Sequence, residues 1–188
     1  MYSSFKRFMD VVLSLLALIA LSPVMLIVAI IIKLTSPGPV IFVQKRVGKD
    51  GKVYDMYKFR SMCVGAEQQE GGVFCTKGDA RVTPIGKFIR ATSIDELPQL
   101  VNIIKGEMSL IGPRPVLTYY PKNWEEYTQE ELKRFDVLPG VTGWAAVHGR
   151  KTNTVEARFA YDNYYVDNLS FSLDLKIFFM TIKSVLTN

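Results

Sequence analysis

One histidine and two cysteines stand among the 188 residues, and that scarcity removes several kinds of chemistry at once. A Ser-His-Asp relay or a histidine-based zinc site would hang on His148 alone, which reads as structural. Cys63 and Cys75 match no metal or redox spacing and are too few for a disulfide framework, so they read as free thiols in a reducing compartment. Neither G-x-x-x-x-G-K-[ST] nor G-x-G-x-x-G occurs, which argues against a P-loop nucleotide hydrolase and a Rossmann domain. Net positive charge is nearly absent beyond the first quarter of the chain, where cations and anions almost balance. Of the formal net charge of +5, most comes from Lys6, Arg7, Lys33, Lys45, Arg46 and Lys49, set against Asp10 and Asp50. A nucleic-acid footprint would spread over the folded domain, whereas this basicity flanks an apolar stretch as contact with anionic headgroups requires. Phospholipid is the expected surface, and nucleic acid is not a partner.

What is abundant is apolar residue: 48% of the chain is hydrophobic, which excludes disorder, and the length suits one compact domain. The run from Val11 to Ile32 is interrupted only by Ser14, Ser22 and Pro23. As a helix it would reach about 33 Å, enough for a hydrocarbon core of about 30 Å. A signal peptide fits badly, because the run is too long and lacks a small-x-small cleavage site. Pro23 removes the bond to the carbonyl of Ile19 at mid-run, a carbonyl that the Ser22 hydroxyl could take up. Cations flank both ends, so the positive-inside rule assigns no orientation. The residues leave two readings open, a re-entrant helix-break-helix dipping into one leaflet and a Pro-kinked spanning helix.

Beyond Pro37-Gly38-Pro39, residues 40–44 and 53–59 read as two strands joined around Lys49-Asp50-Gly51. Residues 64–80 are Gly-rich and polar, a surface loop. Thr83-Pro84 opens a short helix through Arg90. Ser93 to Glu96 forms a capping-box pattern for a helix closed by Gly106, with Pro98 disturbing its start, and Thr128 to Glu131 repeats the pattern. Residues 139–150 are a Gly-rich loop or short-strand region. At helical spacing Phe171, Leu175, Phe178, Phe179, Ile182, Val185 and Leu186 share one arc with Lys176 and Lys183 beside it, suiting either a membrane interface or the domain core.

Asp95 and Glu96 are adjacent, so their side chains diverge and would do different work. Beside them Arg81, Lys87 and Arg90 lie upstream, and Gly112-Pro113-Arg114-Pro115 downstream is a rigid turn presenting one guanidinium. Guanidinium groups suit phosphate oxygens, and carboxylates among cations suggest a divalent ion with a polyphosphate substrate. Asp162 is a further acid, set amid the aromatics Phe159, Tyr161, Tyr164 and Tyr165.

An ordered set of short motifs covers nearly the whole chain: Phe42-x-Gln44-x-Arg46-x-Gly48, Lys58-Phe-Arg-Ser-Met62, Thr83-Pro-Ile-Gly86, Arg90, Ser93-x-Asp-Glu-Leu-Pro-Gln99, Asn102, Gly106-x-Met-Ser-x-x-Gly-Pro-Arg-Pro115, Pro139-Gly-x-Thr-Gly143, Gly149-Arg150 and Asp162-x-Tyr-Tyr165. In this order and spacing they resemble the bacterial sugar transferase family, the monotopic phosphoglycosyl transferases, and most closely its minimal, PglC-type members. The resemblance implies transfer of a sugar 1-phosphate from a UDP-sugar, with an N-acetylated amino or diamino sugar such as diacetylbacillosamine as the expected donor, to undecaprenyl phosphate. The products would be undecaprenyl-diphospho-sugar and UMP, formed with Mg²⁺ present. Carried over by position, Asp95 would be the nucleophile of a covalent aspartyl-phosphosugar intermediate and Glu96 a metal ligand. Arg90 and Arg114 would hold phosphate or nucleotide, and Lys58, Arg150 and Asp162 would contribute to the substrate pocket. Ser22-Pro23 would be the re-entrant break, with the N-terminus and catalytic domain at the cytoplasmic face of the bacterial inner membrane.

The architecture so implied is α+β and mostly helical. A membrane hairpin over residues 1–36 would precede a catalytic domain over 37–188, built from a short β-hairpin and amphipathic interfacial helices. The competing reading is a non-catalytic, membrane-associated partner in envelope glycan synthesis that uses the same cations for lipid headgroups.

Overall fold

A computed structural model of the chain describes residues 2–69, 72, 75, 76, 78–149 and 154–187. It is mostly helical, with a small sheet and one long apolar helix at the N-terminus. That helix, α1 (Tyr2–Thr35), runs on through Pro23. The segment on both sides of Ser22-Pro23 is thus helical, with the proline inside the helix. The reason is local: Pro23 leaves the Ile19 carbonyl without its usual donor, and the Ser22 hydroxyl donates to it at 2.8 Å. Much of α1 is bare apolar surface, with Phe8, Leu16, Ile19, Leu26, Ile27 and Leu34 all exposed. Among the described residues it is the one helix long and apolar enough to cross a membrane.

The polar and small residues that punctuate α1 are where it docks on the rest of the chain. Near its start the Arg7 guanidinium donates to the carbonyls of Ile103 and Ile104, Lys6 pairs with Asp174 at 2.8 Å, and buried Asp10 accepts from the Ser109 hydroxyl and the Leu110 N–H. Near its end Val28 and Ile32 are buried with Phe59 and Ile89. Both halves of α1 thus rest on the same folded body.

Strands β1 (Ile41–Val47) and β2 (Val53–Phe59) pair antiparallel, from Ile41 opposite Phe59 to Val47 opposite Val53, as expected of two strands joined around Lys49-Asp50-Gly51, with the first running on past Gln44. Further on, β3 (Ser109–Ile111), β4 (Val116–Leu117) and β5 (Gly140–Thr142) follow; β4 adds to the free edge of β1, and β3 pairs in parallel with β5. The β3–β5 approach is so close that a Cβ on Gly140 would meet the Gly112 nitrogen at 2.1 Å, and one on Gly143 the Gly112 carbonyl oxygen at 2.1 Å. Two glycine motifs far apart in sequence therefore close on one another, fixing the turn at Arg114.

Helix α2 (Pro84–Ala91) begins as expected, with the Thr83 hydroxyl accepting from the Gly86 N–H at 3.0 Å. Helix α3 (Gln99–Lys105) ends at left-handed Gly106, also as expected. The capping box at Ser93 does not form. Ser93 sits in the left-handed region at φ 58, Ile94–Glu96 make a single 3-10 turn, and α3 starts only after Pro98. The proline takes a position past the first turn where a continuous helix would need its missing N–H. Thr128 and Glu131 do make a capping box, opening α4 (Gln129–Leu132). Residues 144–147 form the short helix α5 (Trp144–Val147), followed by α6 (Val155–Asp167) and α7 (Phe171–Thr187). Helix α7 buries Leu173 and Ile177 and turns Phe171, Leu175, Phe178, Phe179 and Ile182 outward, so the apolar arc faces away from the core. Phe171 meets Phe5 of α1 edge to face at 6.2 Å, joining the two bare surfaces.

Candidate active site

The 3-10 turn Ile94–Glu96 is pressed between α2 and β2, and its two acids diverge as their adjacency requires. Asp95 turns inward and is 9% exposed. Glu96 turns to β2, where the Lys58 ammonium reaches Oε1 at 2.9 Å. From α2, Arg90 comes alongside and donates to the Ser61 hydroxyl at 3.3 Å. Burial holds the Asp95 carboxyl above the ordinary carboxylate range, with Lys58 and Arg90 opposing and Glu96 reinforcing the shift. Burial likewise pushes the Lys58 ammonium below the ordinary lysine range; Glu96 resists this and the charge of Arg114 adds to it. The structure therefore brings Lys58, Arg90, Asp95 and Glu96 into one cluster.

Arg114 is the next group along. Its turn is gripped from below by two other arginines. Arg134 donates to the Arg114 carbonyl at 2.7 Å, and Arg46 donates to the Pro115 carbonyl at 3.0 Å. Arg134 is itself held by Asp162, Nη2 to Oδ2 at 2.7 Å, in a pair of which only 3% and 2% of the side chains are exposed. Burial raises the Asp162 carboxyl, and Arg134 opposes that shift. Arg134 also lies over the Phe159 ring at 4.5 Å. The acid amid aromatics is thus paired with the arginine that bonds the Arg114 carbonyl.

Beyond Arg114 opens a cavity of about 310 Å³ whose lining includes Arg46, Arg114, Arg134, Arg158, Phe159 and Asp162. The charge of Arg114 bears on Lys58 on one side and on Arg46 on the other, so it joins the acid cluster to the cavity. Arg46, Arg134 and Arg158 were not singled out as site residues from sequence. For Arg46 a signal existed, since Gln44 and Arg46 alternate on β1 and so share one face. Arg150 lies outside the described residues.

No group of three or more His, Cys, Asp or Glu side chains able to hold a metal ion is found among the described residues. His148 stacks on Tyr161, lies at a tilt to Trp144 and bonds the Trp144 carbonyl at 2.9 Å, a structural setting, and both cysteines are free.

With this geometry in hand, the comparisons with known proteins fall in one direction. The model of a family described as bacterial sugar transferase matches residues 1–188. The UDP-N-acetylgalactosamine-undecaprenyl-phosphate N-acetylgalactosaminephosphotransferase of Aeromonas hydrophila is 46% identical over 99% of this chain, which spans 44% of that protein's length. The UDP-glucose:undecaprenyl-phosphate glucose-1-phosphate transferase of Klebsiella pneumoniae is 44% identical over 95% of this chain, which spans 39% of that protein. An uncharacterized sugar transferase of Bacillus subtilis, EpsL, is nearer in size; it is 40% identical over 97% of this chain and 88% of its own length.

Proposed function

Because the chain belongs to the bacterial sugar transferase family, we propose that it transfers a sugar 1-phosphate from a UDP-sugar to undecaprenyl phosphate, giving undecaprenyl-diphospho-sugar and UMP. The printed names of the Aeromonas and Klebsiella relatives support the acceptor and the nucleotide class of donor. The single observation that carries the reading is the cluster around the 3-10 turn, a buried carboxylate flanked by Lys58, Arg90 and a second acid.

In the proposed course the ionised Asp95 carboxylate attacks the sugar-side phosphorus, a P–O bond to Asp95 forms, and the P–O bond to UMP breaks. A phosphate oxygen of the acceptor then attacks the same phosphorus and releases Asp95. Each displacement needs one anion brought up to another, and Lys58, Arg90 and Arg114 supply the neutralising charge. Burial of Asp95 strips it of hydration, which raises its nucleophilicity once ionised, and the charges of Lys58 and Arg90 favour the ionised form against that burial.

The donor set at the turn fits Mg²⁺, with hard carboxylate oxygens too few for a protein-only cage, as an ion that completes its shell with substrate oxygens requires. Glu96 would hold it. When bound, Mg²⁺ would supply charge neutralisation on the diphosphate. The proposed donor is a UDP-linked N-acetylated amino or diamino sugar such as diacetylbacillosamine, a class that includes the donor in the Aeromonas relative's name.

The topology proposed is monotopic and re-entrant in effect, with the N-terminus and the catalytic domain both at the cytoplasmic face of the inner membrane. Its support is the docking of both halves of α1 on one body. A spanning α1, fastened to that body near both of its ends, would draw part of the body into the hydrocarbon. A shallow α1 and the bare arc of α7, joined at Phe5 and Phe171, would instead make one interfacial surface.

The test is intact mass of the purified protein incubated with Mg²⁺ and a panel of UDP-sugars, undecaprenyl phosphate omitted. The expected result is a gain of one sugar phosphate, absent in Asp95→Asn and discharged by undecaprenyl phosphate. No adduct with any donor, together with no UMP release when acceptor is present, favours the non-catalytic partner.

A further inference from the structure

Lys58 and the acids it serves stand on different elements, Lys58 on the edge strand β2 and Asp95 and Glu96 on the turn that leads into α3. What apposes β2 and α3 is largely apolar, with Tyr54 and Met56 buried against Leu100 and Ile103. Apolar contact holds two surfaces together but has no direction, so it does not by itself fix where along β2 the helix sits. Asn102 supplies the direction. Its fully buried side chain leaves α3 for the outer edge of β2, the side away from β1, where Oδ1 accepts from the Tyr57 N–H at 3.0 Å and Nδ2 donates to the Asp55 carbonyl at 2.7 Å. The second Nδ2 hydrogen goes across the Gly106 turn to Glu107 Oε2 at 2.6 Å. An acceptor and two donors are thus each matched, and only one orientation of the amide matches them. The Tyr57 N–H is one residue from Lys58, and Asn102 stands on the helix into which the acid turn opens. The displacement chemistry proposed above has no task for this amide.

Resting on the transferase reading above, we propose that Asn102 is a positioning residue of the reaction: its side-chain amide locks β2 to α3 in the register that delivers the Lys58 ammonium to the acid turn, and Glu107 holds the amide in its working orientation. Without the amide the apolar contacts remain, but Lys58 is free to drift from Glu96, where it stands at 2.9 Å. Lys58 neutralises charge as Asp95 approaches the phosphorus, so the loss falls on the displacement and not on donor binding. A leucine at 102 keeps nearly the volume of the asparagine and makes none of its three bonds, which separates the amide from the packing.

The experiment follows the sugar-phosphate adduct by intact mass in single turnovers of the full-length protein in lipid nanodiscs. The donor is UDP-N-acetylgalactosamine, or whichever UDP-sugar of the panel above labels the parent faster. A concentration series separates the rate at saturating donor from the half-saturating concentration, and the adduct end point counts active molecules, so unfolded protein does not enter the rate. Asn102→Leu should lower the saturating rate by about tenfold or more and leave the half-saturating concentration within about twofold. Glu107→Ala, at a partly buried position, should lower the rate by about threefold or more, and Glu107→Gln, which keeps an acceptor for Nδ2, should restore it to within about twofold. Placed in a Lys58→Gln background, Asn102→Leu and Glu107→Ala should each cost less than about twofold, because the group they position has gone. Full losses repeated in that background would overturn the proposal. So would a fall in melting temperature and active fraction with the rate per active molecule unchanged, the mark of an amide that only stabilises the fold. Should Asn102→Leu fail to fold, the Glu107 pair and its cycle with Lys58→Gln decide. The parent protein separates the two claims: an adduct on the parent with unchanged rates in the variants refutes the positioning role alone, whereas no adduct and no UMP release refutes the transferase reading with it.

Discussion

Two clusters of buried acids and bases in this molecule use similar residues to opposite ends. At the foot of α1, Asp10 and Asp174 are met from several sides: Asp10 by Ser109, the Leu110 N–H and Lys6, and Asp174 by Tyr2, Tyr165 and Lys6. At the 3-10 turn, Asp95 is nearly as buried as these, yet the hydrogen bonding that steadies its carboxylate comes from its own backbone N–H, with Lys58 and Arg90 acting through charge. A carboxylate ringed by donors is a fastening, since any movement breaks several bonds at once. One left short of donors in a dry place keeps its lone pairs for a reaction and is held at a cost in stability.

The sharpest way to break this contrast is Asp95→Asn. Turnover, read as UMP release in nanodiscs, should fall by about 10³-fold or more, as removal of a nucleophile does. Stability should hold or rise. Because burial raises the folded pKa of Asp95 above its unfolded value, its contribution to stability is present below the unfolded pKa and is lost as pH rises through the folded one. At neutral pH the neutral amide therefore removes a cost, and a melting temperature well below the parent's would count against the assignment.

The opposite outcome belongs to Asp174→Ala. It strips partners from Lys6, Tyr2 and Tyr165 together, and breaking such a pair should cost about 3–5 kcal/mol. Chemical denaturation in detergent would register it, alongside faster proteolysis at the joint of α1 and α7. Asp162→Asn sits between the two regions in kind. It leaves the buried Arg134 guanidinium, which bonds the Arg114 carbonyl, without its counter-ion, so stability should drop while donor KM rises more than kcat falls. A loss of stability with kinetics unchanged would mean that the pair does not position Arg114.

A smaller effect lies in the pH profile. The acid limb of kcat/KM should stand above the ordinary carboxylate range near about 4, because Asp95 must be ionised and burial raises it. Lys58→Gln, by removing a cation that opposes the shift, should move that limb higher still. A limb that stays in place would remove Lys58 from the electrostatics of Asp95.

The sequence made the local elements legible because their signals are local. The hairpin of β1 and β2, the Thr83 and Thr128 caps and the Gly106 stop all rest on residues within a few positions of one another. The same short range misled at Ser93, where a capping pattern was present but Pro98 made the following turn unable to continue it. The acid pair, Lys58 and Arg90 were legible as chemistry through motif order, although nothing short of the fold could bring Lys58 on β2 against Glu96. Arg46 and Arg134 were missed because each acts through a carbonyl on a distant turn, Pro115 and Arg114, and such pairings leave no spacing in the chain. Whether the arc of α7 faced the core or outward was likewise open until its opposite face, Leu173 and Ile177, proved to be the buried one.

The smallest predicted effect probes α1 itself, where a fastening of the first kind is reduced to a single bond. Ser22→Ala removes the hydroxyl that serves the Ile19 carbonyl, a loss of about 0.5–1.5 kcal/mol in water and about 0.6 among membrane helices. The assignment of that bond to the proline is testable by a double-mutant cycle. In a Pro23→Ala background the restored backbone N–H can bond Ile19 directly, so Ser22→Ala should then cost close to nothing, and the difference between the two backgrounds is the worth of the hydroxyl as a substitute donor. An equal cost in both backgrounds would show the serine acting elsewhere, and the continuity of α1 through Pro23 would need another source than this bond.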